Sequence, residues 1–177
     1  MQLSPNNSIA NQINGQAMFA NKDFKEAKKF AENAIREPGA HIVAYIVAGV
    51  SAYQLNQLEV AHTHLMSVKD KLSYQHSVQN LLTQIRFQLG YADDIFNDIA
   101  NMPDTELDTQ LLAVSAQELF KVGKAEESDK LMQRANQLDP DDAKILYQQG
   151  VVKLFREDDS ATEFFKSALE KNPDLNV

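Results

Sequence analysis

The sequence repeats with a period of 33 or 34 residues, and this period constrains the possible folds more than any other feature. Small or apolar residues recur at that interval in three parallel series along most of the chain. The series are Ala27, Ala61, Ile95, Ser128 and Ala161; Ala34, Val68, Met102, Ala135 and Ala168; and Gly15, Gly49, Thr83, Ala116 and Gly150. Such periods are typical of repeat proteins, in which one repeat cannot bury its apolar face alone and must stack on its neighbours.

Each repeat is predicted to form two helices. Apolar residues recur at steps of three and four, as in Ala27, Phe30 and Ala34. The chain has 6 Gly and 5 Pro, too few for a loop-rich or all-β protein. Asp104 and Asp141 are predicted to cap helix N-termini with their carboxylates. Breaks between helices are expected near 21–23, 56–57, 90–91, 123–124 and 157–159.

Two antiparallel helices approach each other closely only where the side chains at their crossing are small. We therefore expect Gly15 to lie opposite Ala27, and Gly150 to lie opposite Ala161.

Three stretches of the chain resemble the tetratricopeptide repeat. They run from Gly15 to Pro38, with Asp-Phe-Lys-Glu-Ala at 23–27; from Ala116 to Pro140, with Ala-Asn-Gln-Leu-Asp-Pro at 135–140; and from Gly150 to Pro173, with Ala-Leu-Glu-Lys-Asn-Pro at 168–173. The resemblance implies an all-α fold, a right-handed α-solenoid (superhelix) of about five helical hairpins and about ten helices, in a single domain over 1–177. The expected repeats are approximately 8–38, 42–71, 76–103, 109–140 and 143–173.

In the family that the chain resembles, the first helix of each hairpin usually lines a concave groove. Aromatic residues recur in these helices at Phe19, Tyr53, Phe87 and Phe120, and Leu154 continues the row. They either grip a bound segment or pack between adjacent first helices. The expected groove also includes Gln12, Gln16, Asn80, Gln84, Gln117 and Tyr147. Amides can bond an extended backbone, although Gln is also simply a good helix former on a wet surface.

Some tetratricopeptide domains grip acidic chaperone tails through a clamp of Lys, Asn, Asn, Lys and Arg. At the matching positions this sequence has Gln12, Gln16, Val47, Ser77 and Leu81. That mode of binding is therefore not expected, and the amide and aromatic lining predicts a neutral or mildly apolar partner segment.

Charge and motif content argue against several other functions. The net charge of the chain is −8, and residues 91–177 carry 19 acidic and 9 basic residues, so nucleic acid is not an expected partner. The chain has no Cys, and His62 and His64 lie only two residues apart on a predicted helix, so neither metal nor cofactor is expected. No phosphate-binding loop or nucleophile motif occurs, which predicts that the chain is not an enzyme.

The sequence thus predicts a scaffold that binds a protein or peptide. One alternative is a structural or assembly segment of a longer bacterial repeat protein, because the units resemble in style the repeat lipoproteins of exopolysaccharide and protein-sorting systems. Self-association would then use Phe164 and Phe165 of the last hairpin. A regulatory arm of a fused enzyme is a further alternative.

No signal peptide or membrane span is expected from the sequence. The predicted location is cytoplasmic if the chain is complete, and periplasmic or otherwise extracytoplasmic if a signal has been removed.

Overall fold

The computed structural model describes residues 7–72, 75–104 and 107–175. Within these ranges the chain forms ten α-helices and no strand, so the predicted all-α class is confirmed. The helices are α1 (Ser8–Ala20), α2 (Phe24–Ile35), α3 (Ile42–Gln54), α4 (Leu58–Met66), α5 (His76–Gln88), α6 (Ala92–Ala100), α7 (Thr109–Lys121), α8 (Ala125–Leu138), α9 (Ala143–Phe155) and α10 (Ala161–Lys171). A short 3-10 helix, Lys69–Lys71, follows α4.

The odd-numbered helices carry the repeat. They begin at Ser8, Ile42, His76, Thr109 and Ala143, at intervals of 34, 34, 33 and 34 residues. The helices that pack on each other are consecutive in the chain or are first helices of consecutive hairpins. This arrangement is the one expected when helical hairpins bury their apolar faces by stacking.

The chain divides into two compact units, Met1–Leu89 and Gly90–Val177. In the first unit α1 packs on α2, α3 packs on both α2 and α4, and α4 packs on α5. In the second unit α7 packs on α8 and α9, and α9 packs on α10. The assignment of residues 1–177 to one domain, with the five repeat boundaries given above, stays a prediction.

Both of the predicted helix caps are wrong. The side chain of Asp108 caps α7, and its Oδ1 accepts from the backbone N–H of Gln110 at 2.9 Å. The side chain of Asp142 caps α9 in the same way. Asp104 lies four residues too early to cap α7 and instead pairs with Arg134, while the neighbouring Asp141 is 2.6 Å from the Nζ of Lys171.

The small residues at the helix crossings have two different roles. Gly15 lies opposite Ala27 as predicted, because a Cβ at Gly15 would meet the carbonyl oxygen of Ala27 at 3.4 Å and the backbone N of Ala31 at 3.3 Å. At Gly150 the nearest neighbours are ring atoms of Phe165, one helical turn after Ala161, so the contact between Gly150 and Ala161 stays a prediction. A Cβ there would lie 2.6 Å from Cε1 of that ring. Gly150 therefore makes room for an aromatic side chain.

Candidate functional site

A groove runs between α7 and α9, the first helices of two consecutive hairpins in the second unit. Its volume is about 620 Å³. Its lining residues are Gln110, Ala113, Val114, Gln117, Lys121, Lys144, Ile145, Tyr147, Gln148, Val151 and Phe155. We call it the α7–α9 groove. Because α8 packs on α7 and α10 packs on α9, both walls of the groove rest on a second helix.

Apolar side chains form the inner part of the α7–α9 groove. Ala113 and Ile145 are buried in the helix packing, and Val114 and Val151 are half-buried beside them. Phe155 stands at the end of α9 with 61% of its surface exposed. An apolar side chain of a bound segment would gain here the usual hydrophobic free energy of about 25 cal/mol per Å² removed from water.

Amides line the rest of the groove. Gln110, Gln117 and Gln148 each offer one acceptor and two donors. The Oε1 atom of Gln148 is buried and has no hydrogen-bond partner among the described residues. A buried acceptor without a donor is costly, and because this atom has almost no accessible surface, only a rotation of the side chain would present it to the groove.

The two charged residues in the groove lining are both lysines. Lys121 lies in the last turn of α7 and pairs with Glu118 at 2.7 Å. Lys144 lies in the first turn of α9 and is exposed. No Asp or Glu lines the groove among the residues that the structure describes.

Two aromatic side chains of the groove lining are packed on other rings. The ring of Tyr147 packs on that of Phe165, with centroids 5.4 Å apart, in the space that Gly150 leaves open. The ring of Phe155 lies 6.2 Å from that of Phe120. The part of the groove wall formed by Tyr147 is therefore held by packing within the last hairpin.

Comparison with known proteins identifies the fold. The chain matches no family model and no curated protein sequence. Among solved structures it resembles a crystal structure of the MamA protein, with a TM-score of 0.71 and 14% identity over 96% of this chain and 97% of that one. It also resembles the MamA RS-1 ArsTM double mutant, with a TM-score of 0.70 and 16% identity over 96% of each chain. MamA is a tetratricopeptide-repeat protein.

The chain has a tetratricopeptide-type fold. At these identities the likeness concerns the fold alone.

Two of the predicted site residues meet in the α7–α9 groove. Gln117 and Tyr147 both line it, on opposite helices. Of the other amides predicted in this tetratricopeptide-type chain, Gln12 and Gln16 lie on α1 and Asn80 and Gln84 lie on α5, all in the first unit. Gln16 and Gln84 are exposed and the other two are half-buried. Their role in binding stays a prediction.

The aromatic row makes packing contacts. Phe19 packs against the core cluster of Ala27, Ala31, Val47 and Ala48, and Tyr53 packs against the cluster that includes Leu65 and Ile85.

Phe87 is half-buried on α5, and Phe120 is half-buried against Phe155. Leu154, which was expected to continue the row, is 61% exposed. Phe155, the next residue, contacts Phe120 instead. Contact between this row and a ligand stays a prediction.

The contacts of Phe164 and Phe165 give no support to self-association. Both rings are half-buried. Phe165 is packed on Tyr147, and Phe164 lines a second cavity of about 270 Å³ together with Met132 and Val152. Their apolar surface is thus largely used within the second unit.

Several residues of the groove lining were not predicted from the sequence, among them Lys144 and Gln148. The groove positions predicted from the sequence lie three and seven residues before each member of the aromatic row. Gln148 lies six residues and Lys144 ten residues before Leu154, one further helical step of three in each case. Because residues three apart are neighbours on a helix surface, extending the register by that step would have found both.

One carboxyl in the second unit is strongly perturbed. A 2.7 Å hydrogen bond from Lys153 Nζ holds the pKa of Asp158 well below its usual range, and the hydroxyl and N–H of Ser160 add to this effect. Asp158 lies just before α10 and does not line the groove. Its contacts fit a role at the helix start.

Two other groups outside the groove have shifted pKa values. Burial, together with the positive charge of Arg86, lowers the pKa of His62. A hydrogen bond to Asp93 raises the pKa of Lys124. No group of three or more His, Asp or Glu residues able to hold a metal ion occurs in the described ranges. No described helix is both long enough and apolar enough to cross a membrane.

Proposed function

We propose that this protein is a non-enzymatic interaction scaffold that binds a segment of another protein in the α7–α9 groove. The observation that carries the proposal is a groove between two first helices whose lining combines apolar side chains, amides and two lysines. An extended peptide supplies both kinds of group that this lining needs, since backbone N–H groups alternate with side chains along it.

The dimensions of the groove suit such a segment. Its volume of about 620 Å³ lies within the range of about 300–1,000 Å³ that is usual for ligand sites. Helices α7 and α9 have 13 residues each and are therefore about 20 Å long. Five or six extended residues, at about 3.4 Å each, span that length.

The fixed walls of the groove also favour binding. Tyr147 is half-buried and packed on Phe165, so little of its side-chain freedom remains to be lost on association. A preformed surface lowers the entropic cost of binding and leaves more of the contact energy as affinity.

Blocking the groove tests the proposal. In Val151→Trp a large ring occupies the space of the apolar floor, whereas Leu169→Trp places the same ring at a position on α10 that is 53% exposed and outside the groove. Random dodecapeptides displayed on phage are selected on the wild-type chain, and the enriched peptides are synthesised with a fluorescent label.

Affinities measured by fluorescence anisotropy should fall by about tenfold or more in Val151→Trp, because one apolar side chain loses its site at a cost of about 1.5–3 kcal/mol. They should be unchanged in Leu169→Trp. Circular dichroism confirms that both variants are folded. Equal affinities for the two variants would place the binding site elsewhere.

A further inference from the structure

We propose that the segment bound in the α7–α9 groove carries an Asp or Glu side chain next to its apolar anchor, and that Lys144 receives that carboxylate. The inference rests on the proposed function, and it replaces the neutral or mildly apolar segment expected from the sequence with one that is both apolar and acidic. It starts from the two lysines in the groove lining and the absence of carboxylates among the described lining residues.

The lining is unusual for this half of the chain. Residues 91–177 contain 19 Asp and Glu and 9 Lys and Arg, so a surface taken at random from it would present mostly carboxylates. The α7–α9 groove instead presents two ammonium groups. Exposed charges beyond about 8–10 Å are largely screened at physiological salt, so a ligand in the groove interacts mainly with these nearest groups.

The positions of the two lysines differ in a way that selects Lys144. Lys121 lies at the C-terminal end of α7, where a cation is favoured by the helix dipole, and its ammonium already pairs with Glu118. Both features give it a role in the stability of its own helix.

Lys144 has no comparable structural role. It lies in the first turn of α9, where the helix dipole disfavours a cation. The adjacent Asp142 carboxylate is engaged by the backbone N–H groups of Lys144 and Ile145, at 2.7 and 3.1 Å. The structure shows no ion pair for the Lys144 ammonium among the residues it describes. A cation held at an unfavourable helix position, beside a groove, is suited to an external anion.

The contacts for one occupant are therefore complete. An apolar side chain fits beside Ala113, Ile145 and Val151, the backbone of the segment bonds the amides of Gln110 and Gln117, and the neighbouring acidic side chain reaches Lys144. Since Lys144 is exposed, its pair with the ligand is a rim contact, and we expect a threefold to fivefold contribution to affinity, about the size measured for exposed ion pairs.

The test is a charge reversal. The dodecapeptide library is selected in parallel on the wild-type chain, on Lys144→Glu and on Val151→Trp. Lys166→Glu is the matched control, because it makes the same charge change at an exposed position on α10 outside the groove. The displayed peptides are fused at their C-termini, so an enriched carboxylate can come only from an Asp or Glu side chain.

Wild type and Lys166→Glu should enrich Asp or Glu beside an apolar residue, and Lys144→Glu should enrich Lys or Arg at the same place. Synthetic wild-type binders should weaken threefold to fivefold when their acid is changed to the amide, and this difference should vanish in Lys144→Glu. Groove-dependent peptides without acidic enrichment would overturn this inference and leave the proposed function standing. Peptides that bind Val151→Trp as well as wild type, or a selection that enriches none, would overturn the proposed function itself.

Discussion

Arg134 stabilises the end of a helix that it does not belong to, and its removal gives a sharp test of the packing in the second unit. Its side chain extends from α8 to the C-terminus of α6. There Nη1 donates to the carbonyls of Ile99 and Ala100 at 3.0 and 3.2 Å, and Nη2 donates to that of Met102 at 2.6 Å. Nε also donates to Asp104 at 2.9 Å. The last carbonyls of a helix lack partners within it, so Arg134 supplies them from the next hairpin.

The expected cost of Arg134→Ala follows from these contacts. Hydrogen bonds to a charged group contribute about 1.5–3 kcal/mol each when buried. The Arg134 side chain is 24% exposed, so water can replace part of what is lost. The pair with the mostly exposed Asp104 adds at most about 1 kcal/mol. We therefore expect a total loss of about 2–3 kcal/mol in the free energy of unfolding.

Arg134→Lys separates charge from geometry. An ammonium keeps the positive charge but cannot reach several carbonyls at once as a planar guanidinium does. We expect it to recover less than half of the loss. Gln133→Ala, an exposed position on the same helix, serves as the control and should change stability by less than about 0.5 kcal/mol.

Urea unfolding followed by circular dichroism measures these differences, and hydrogen exchange locates them. Amides of α6 should exchange faster in Arg134→Ala, while those of α9 should change less. The reasoning fails if Arg134→Ala is as stable as Gln133→Ala, or if Arg134→Lys restores full stability.

Two further predictions concern a helix crossing and a helix start. Gly15→Ala should destabilise the protein by about 1–2 kcal/mol in urea unfolding, although Ala is the better helix former, because the new Cβ meets the rigid backbone at Ala31 at 3.3 Å; a more stable variant would refute the close approach. The pKa of Asp158 is held low, mainly by Lys153, so its stabilising effect should be present above its unfolded value of 3.8 and be lost as the pH falls below that value. The stability difference between wild type and Asp158→Asn, measured by thermal melting, should therefore shrink in acid; a difference independent of pH down to about 2 would contradict the assigned contact.

The repeat could be predicted from the sequence because many residues recur with the same period. Small and apolar positions recur in three series, and each helix needs several of them, so single departures such as Ile95 do not hide the pattern. Ile95 is fully buried in α6 at the place where the family usually has Ala. A larger apolar residue there still serves the same packing.

Features that depend on one contact could not be predicted in this way. Asp104 and Asp108 are equally good cap residues in isolation, and only the packing that sets the start of α7 selects Asp108. Gly150 carries the same small-residue signal as Gly15, but its neighbour is a ring from another helix. The periodicity shows that a position must be small and does not show what fills the space.

The groove was predictable in part for the same reason. Gln117 and Tyr147 follow the helical register, so the sequence placed both on the groove face. What distinguishes Lys144 is its surroundings, since it has no ion pair and no Asp or Glu lines the groove among the residues that the structure describes. Those properties belong to the assembled unit and not to any single segment.

The packing of Phe165 against both Tyr147 and Gly150 links the interior of the last hairpin to the surface of the groove. Any side chain larger than hydrogen at 150 pushes on the Phe165 ring, and a displaced ring withdraws the support under Tyr147. A substitution at a buried position of the last hairpin should therefore alter the wall of the α7–α9 groove. The shape of the groove wall at Tyr147 is thus set in part by two positions, 150 and 165, that do not themselves line the groove.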